Sequence, residues 1–244
     1  MRYSKVIVLA LLFFINKALL SQSFEGILTY KVTFEVNNPA FNDQMKEALF
    51  DKMKEEGEYY DSLIITIKNG DYIKEDNSKN KKKIVYRQQE NQLFIFTQGS
   101  EYVTVIDAQK KTALKDDYPN PKVKKSKTSE SLFGKKLKSI KLTWEGLGQE
   151  IYYYNADLLP INSNLFQEHN YEFLNTVLST TKSYPMRVIK SVNQLITIKM
   201  TLVDYSEKSL GVNIFQIPKL EKVDTEYAKS VYETSGNQVL RIVN

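Results

Sequence analysis

The 244-residue chain holds 34 Lys and Arg against 29 Asp and Glu, one histidine and no cysteine. The missing cysteine excludes disulfides, thiolate nucleophiles, thiolate metal sites and the acylated cysteine of a bacterial lipoprotein. A net charge of +5 is too small for the electrostatic footprint of a nucleic-acid-binding domain, so nucleic acid is not an expected partner.

Residues 1–23 read as a signal peptide. Arg2 and Lys5 form a basic front, and Val6–Ile15 is an apolar run too short for the roughly 20 residues a membrane-crossing helix needs. Cleavage after Ser21 or Ser23 is the expectation, with an uncleaved N-terminal anchor as the alternative. The segment contains Arg2, Lys5 and Lys17 and no acid, so the remaining 221 residues carry a net charge of only +2. Later apolar stretches are interrupted by charged or amide residues, and no transmembrane segment is expected in the mature chain. Residues 24–218 are expected to form one domain, followed by a polar tail at 219–244 in which Leu220, Val223, Tyr227 and Val231 allow one short helix.

From Phe24 to Val36 apolar and polar residues alternate, the signature of a long half-buried strand. Asn38 offers an N-cap with Pro39 at the first helical position. Phe41, Met45, Leu49 and Met53 then follow at helical spacing, which predicts an amphipathic helix over 39–56 ending at Gly57. Strands are expected at 63–68, 83–88, 92–97 and 101–107, separated by short polar turns such as Asn69-Gly70, so the sheet is an antiparallel meander of sequential hairpins.

The lysine-rich stretch that follows contains Pro119 and Pro121, and 110–127 is expected to be a mobile loop. Strands return at 137–144 and 150–155. Asn164 and Gln167 resemble a capping box that opens a helix over 165–178, and Pro185 closes that region. A strand around 186–188, a central strand at 195–205 and a last strand at 212–218 complete the reading, Pro218 ending the sheet.

Catalytic signatures are absent. The sole histidine, His169, has only Glu168 beside it, and the favoured reading is a helix-face histidine at the rim of the core; the alternative is a general base or metal ligand. No phosphate-binding glycine motif or nucleophile elbow is present, and the pairs Glu55-Glu56 and Asp116-Asp117 read as solvated surface. No catalytic residue, metal site or cofactor is expected. The lysine runs at 80–83, 122–127 and 135–138 read as solubilising, edge-blunting charge, with anionic headgroup binding as the alternative. Aromatic residues occupy both faces of strands, as in Gln92–Thr97, where Leu93 and Ile95 oppose Phe94 and Phe96. Two buried surfaces are therefore required, one of which could form an apolar groove.

The run FEGILTYKVTFEV, the strand Gly134–Trp144, the strand-turn IYYYNADLLP and the closing NIFQIP together resemble the periplasmic lipoprotein-carrier-like (LolA/RseB-like) superfamily. The resemblance implies a mainly β fold of the α+β kind: a strongly curved antiparallel sheet, an incomplete barrel, with two or three helices across its concave face. It also implies an exported, periplasmic, non-enzymatic binding module that holds an acyl chain or lipoprotein between sheet and helices. The expected ligand-binding residues are Phe34, Phe94, Phe96, Trp144 and Tyr152, and the expected state is a monomer. The alternative function is an envelope scaffold or sensor that binds another protein through sheet edge and lysine loops. Two departures from the pattern are the helix placed after the first strand and the lysine-rich excursion.

Overall fold

The alternation of Leu28, Tyr30, Val32 and Phe34 with polar neighbours builds the strand on which the sheet is centred. In a computed structural model describing residues 23–112, 119–192, 195–226 and 228, β1 (Gly26–Val36) pairs antiparallel with β2 (Ser62–Lys68) on one side and β11 (Ile196–Glu207) on the other. The signal-peptide reading falls almost wholly on residues outside this set. Most of the C-terminal tail and the centre of the expected lysine-rich loop also lie outside it.

Two antiparallel meanders meet at β1 and β11. The first runs through β2, β3 (Asp71–Asp76), β4 (Lys83–Arg87), β5 (Gln92–Phe96) and β6 (Tyr102–Asp107). The second runs through β7 (Lys122–Leu132), β8 (Lys135–Trp144), β9 (Gly148–Tyr154) and β10 (Pro185–Val192) to β11. A short β12 (Glu221–Val223) adds in parallel to β6, giving a twelve-stranded open sheet with β12 and β7 at its edges. Asn69 and Gly70, both at positive φ, form the two-residue β2–β3 turn, as the Asn-Gly pair predicts.

The sheet is strongly curved, as the connection between its two halves shows. From β6 to β7 the chain crosses ten strand intervals in the sheet order, about 48 Å if the sheet were flat. The 14 linking residues, Ala108–Pro121, reach about 50 Å only when fully extended. They are not fully extended, because the Lys110 amide turns back to the Asp107 carbonyl at 3.1 Å. The ends of the sheet therefore curl toward one another without closing into a barrel.

Several elements differ from the sequence expectation, among them β3, a strand not expected between the Asn69-Gly70 turn and 83–88. The first helix, α1, spans Asp43–Glu56 and not 39–56: Asn42 caps it by accepting from the Met45 amide at 2.9 Å, while Asn38 closes a separate turn on Ala40 and Phe41. The helix expected over 165–178 is broken into 3-10 turns at Ser163–Phe166 and Tyr171–Phe173 and a short α2 at Leu174–Thr181. The break lies at Glu172 and Phe173, which take left-handed φ of 51° and 56°. Lys122–Leu132 is a paired edge strand and not a loop. Val212–Phe215 is a 3-10 turn and not the last strand, and the sheet ends beyond Pro218, at β12.

Candidate functional site

Registers assign the side chains to two faces. One face carries Leu28, Tyr30, Val32 and Phe34 of β1, and by cross-strand pairing Ile65, Tyr72, Tyr86 and Leu93 on one side and Met200, Val188, Tyr152 and Ile140 on the other. The 163–181 segment covers this face, placing Phe166, Phe173, Val177 and Leu178 in its core. On the opposite face a second apolar core lies beside β3–β6, where Ile73, Val85, Phe94 and Val103 pack under Phe215, Ile217 and Leu220.

Charge enters the covered face at two points. Ile95, Ile84, Lys74 and Ile65 form one cross-strand row, so Lys74 stands within an otherwise apolar line. On the other half, Phe34, Ile198, Lys190, Glu150 and Leu142 form a second row, in which Lys190 and Glu150 are direct cross-strand partners. The covering segment joins the two: the Glu172 carboxylate lies 3.7 Å from the Lys74 ammonium and 3.7 Å from that of Lys190, which is itself 3.5 Å from Glu150. Strands β3 and β10 are four intervals apart in the sheet, and both lysines reach one carboxylate oxygen because side chains on a concave face converge. Tyr152 donates to the Glu150 carboxylate, and the Tyr72 ring lies 5.4 Å beneath the Lys74 ammonium.

The backbone of the bridging residue is fixed from outside. The Asn170 and Tyr171 amides donate to the Ala108 carbonyl at 2.7 and 3.0 Å, and the Glu172 amide donates to that of Lys111 at 2.9 Å. These contacts from the β6–β7 crossover hold two consecutive non-glycine residues in a region that costs on the order of 1–2 kcal/mol each.

The electrostatics follow from this packing. Lys190 and, more weakly, Lys74 hold the Glu172 carboxyl down at about 2 against the opposing effect of burial. Burial works against the Lys190 ammonium, but Glu150 and Glu172 outweigh it and its pKa stands well above the usual lysine value. Burial dominates at Lys74, whose pKa is lowered despite Glu172. The cluster thus sets two lysines against two glutamates. Its four side chains keep between 19% and 30% of their surface accessible, so they line an opening and are not sealed in the core.

The expected site residues divide between the faces. Phe34, Trp144 and Tyr152 lie on the covered face. Phe34 is half-buried against Tyr59 and Tyr60, Trp144 packs on Phe173 and donates to the Pro119 carbonyl, and Tyr152 is held by Glu150. Phe94 and Phe96 point to the opposite face, where Phe94 is fully buried under the C-terminal segment, so they do not share a groove with the other three. His169 is not at a rim: it is buried, bonded to the Tyr72 hydroxyl at 2.9 Å and packed on the Tyr86 ring at 4.3 Å. Burial drives its pKa down to about 3, with Lys74 adding to the effect, so it is neutral. Lys74, Glu150, Glu172 and Lys190 were not singled out in the sequence. The available signal was a lysine on the apolar phase of a strand, two residues after Tyr72 in DYIKED and two residues after Val188 in PMRVIKSV.

Among the described residues no group of three or more acidic or histidine side chains is placed to hold a metal ion, and no helix is long and apolar enough to cross a membrane. Neither a protein-family model nor a curated protein matches the sequence. Among solved structures the chain is similar to PNGF-II at 9% identity and a TM-score of 0.46, covering 86% of this chain and 34% of PNGF-II; it thus spans about a third of that protein's length. It is also similar to a LolA superfamily protein from Nitrosomonas europaea at 11% identity and a TM-score of 0.38, covering 81% of this chain and 92% of that one. A third likeness, at 8% identity and a TM-score of 0.34, is to an outer-membrane lipoprotein-sorting protein domain from Vibrio parahaemolyticus, covering 78% and 89%.

Proposed function

We propose that this is an exported, non-enzymatic carrier-like protein of the periplasm that holds a hydrophobic ligand, an acyl chain or an acylated protein, between the covered face of its sheet and the 163–181 segment. The observation that supports this reading is the incomplete burial of the apolar rows on that face. Leu63, Ile65, Ile84, Ile95 and Met200 all pack against the main core, and all keep accessible surface although they stand on the concave side of the sheet. Leu174 of α2 faces them in the same condition. A concave apolar surface left partly open beside a few convergent polar groups is the usual form of a small-ligand site. Phe34, Trp144 and Tyr152 flank it, while Phe94 and Phe96 belong to the second core.

Native mass spectrometry of protein purified from the envelope, with organic extraction and lipid analysis of the same sample, tests this reading. A co-purifying acyl compound, and uptake of a fluorescent fatty acid by the stripped protein, are expected. Ligand-free protein that takes up no fatty acid would remove the carrier reading. It would leave the second one, an envelope scaffold that binds another protein, which the long free edge of β7 favours.

A further inference from the structure

We propose that Lys74 and Lys190 form the receptor for an anionic headgroup on the bound acyl compound, and that Glu172 occupies that place when the ligand is absent. This rests on the carrier reading above and adds the chemical class of its ligand: a single-chain or multi-chain amphiphile ending in a carboxylate or phosphate.

The first ground is unsatisfied donor capacity. An ammonium offers three donors, and its charge-assisted hydrogen bonds run at about 2.7–2.9 Å. The contacts of Lys74 and Lys190 with Glu172 and Glu150 are 3.5 to 3.7 Å, so they are ion pairs and not hydrogen bonds. Two cations face one carboxylate oxygen without closing on it, a geometry that an anion inserted between them would complete. The second ground is position. Lys74 stands between Ile84 and Ile65 in its row, and Lys190 next to Ile198 in the other, so an anion held by both has open apolar surface on either side for a chain.

The third ground is the way Glu172 is presented. It comes from a short covering segment, in a left-handed conformation imposed by the crossover carbonyls of Ala108 and Lys111, and not from the sheet that carries the lysines. Displacing its carboxylate disturbs no strand pairing. Glu150, by contrast, is the cross-strand partner of Lys190 and is held by Tyr152, so it stays and keeps Lys190 oriented.

The test compares palmitate with hexadecanol, the same chain with and without the charge, as displacers of Nile red from the stripped wild-type protein at neutral pH. Palmitate is expected to act at about tenfold lower concentration or better, the value of one charge-assisted hydrogen bond. Lys74→Met and Lys190→Met should each narrow that gap while leaving hexadecanol unchanged, and Glu172→Gln should widen it by removing the competing carboxylate. Equal potency of hexadecanol and palmitate on the wild-type protein would overturn the headgroup site and leave the carrier reading standing, a result that needs no variant to fold. If inorganic phosphate alone competes as well as palmitate, the lysines serve a free anion and the amphiphile assignment falls. If neither amphiphile displaces the dye, both readings fall together.

Discussion

His169 shows how a single buried residue ties stability to pH. Its ring is sandwiched among Tyr72, Tyr86 and Phe166, its Nε2 is bonded to the Tyr72 hydroxyl, and its Nδ1 is buried with no hydrogen-bond partner among the described residues. The charged groups facing it are Lys74, which disfavours protonation, and Glu172, which favours it, and burial outweighs both in setting a folded-state pKa of about 3. The unfolded chain takes up the proton near pH 6.5. The stabilising contribution is therefore complete above pH 6.5 and lost as pH falls toward 3, on the order of 4 kcal/mol over that window. Urea titrations between pH 7 and 4 should show stability falling with acid, and the fall should be shallower in His169→Gln. An equal pH slope in the two proteins would mean that the histidine is hydrated or already charged in the folded state. The sequence shows why this role is hard to read: the 3.6-residue spacing to Phe166 and Phe173 places His169 on a helix flank, but the helix does not exist there. The left-handed turn at Glu172 and Phe173 has no glycine or asparagine to announce it, because it is imposed by the crossover 60 residues earlier in the chain.

Among the elements, α1 is held through its C-terminal half, where Leu49 packs against the cluster of Val32, Ile196 and Ile198. Met53 is its only buried residue, Met45 is exposed, and its C-terminal carbonyls are held by the β3–β4 loop: the Asn80 amide donates to Glu56 and the Lys79 ammonium to Glu55. Gly57 ends the helix at φ 73°, and a Cβ there would lie 2.2 Å from the Asn80 side chain. Gly57→Ala should therefore strain the cap and expel Asn80, costing about 2 kcal/mol locally. Hydrogen exchange should report it as faster exchange over 43–56 with little change in the amides of β1 and β11; a uniform loss of protection would mean that α1 is integral to the sheet. The strands β1, β2, β4, β5, β6, β8, β9 and β11 are legible because each buries at least one face and so shows either alternation, as in β1, or a compact apolar run, as in β5. The edge strand β7 is not, since Lys122, Lys124, Lys125 and Lys127 fill both of its faces and neither is buried. Lysine on an exposed edge opposes pairing with a second sheet. Replacing these four lysines with threonine should leave thermal stability nearly unchanged and convert the protein to higher-order species by light scattering. A variant that stays monodisperse would show that the charge is there for another purpose.

At the scale of the molecule, one sheet carries two cores on opposite faces, and different parts of the chain close them. The alternation of Leu93 and Ile95 with Phe94 and Phe96 makes the need for two buried surfaces legible in β5. What closes the second surface is not legible, because NIFQIP reads equally as a strand until its neighbours are known. In the folded protein that segment leaves the sheet after β11. The Leu210 amide donates to Glu25 at 2.6 Å, and the Arg87 guanidinium is bonded to the Phe215 carbonyl at 3.2 Å. Phe215, Ile217 and Leu220 then lie over Ile73, Val85, Phe94 and Val103 before β12 pairs with β6. The Lys222 ammonium adds to this cover, 4.9 Å over the Phe94 ring, and each of the four side chains is at most 4% exposed. Ending the chain after Lys208 should uncover them and cost roughly 5 kcal/mol in lost apolar burial. The truncated protein should bind an apolar dye such as anilinonaphthalene sulfonate on this face and self-associate. Its covered face should still take up fatty acid, since no residue of that site lies beyond β11. Loss of fatty-acid uptake in a truncated chain that retains its β-sheet circular dichroism would show that the two cores are coupled through the sheet, and that the C-terminal segment supports the ligand site from behind.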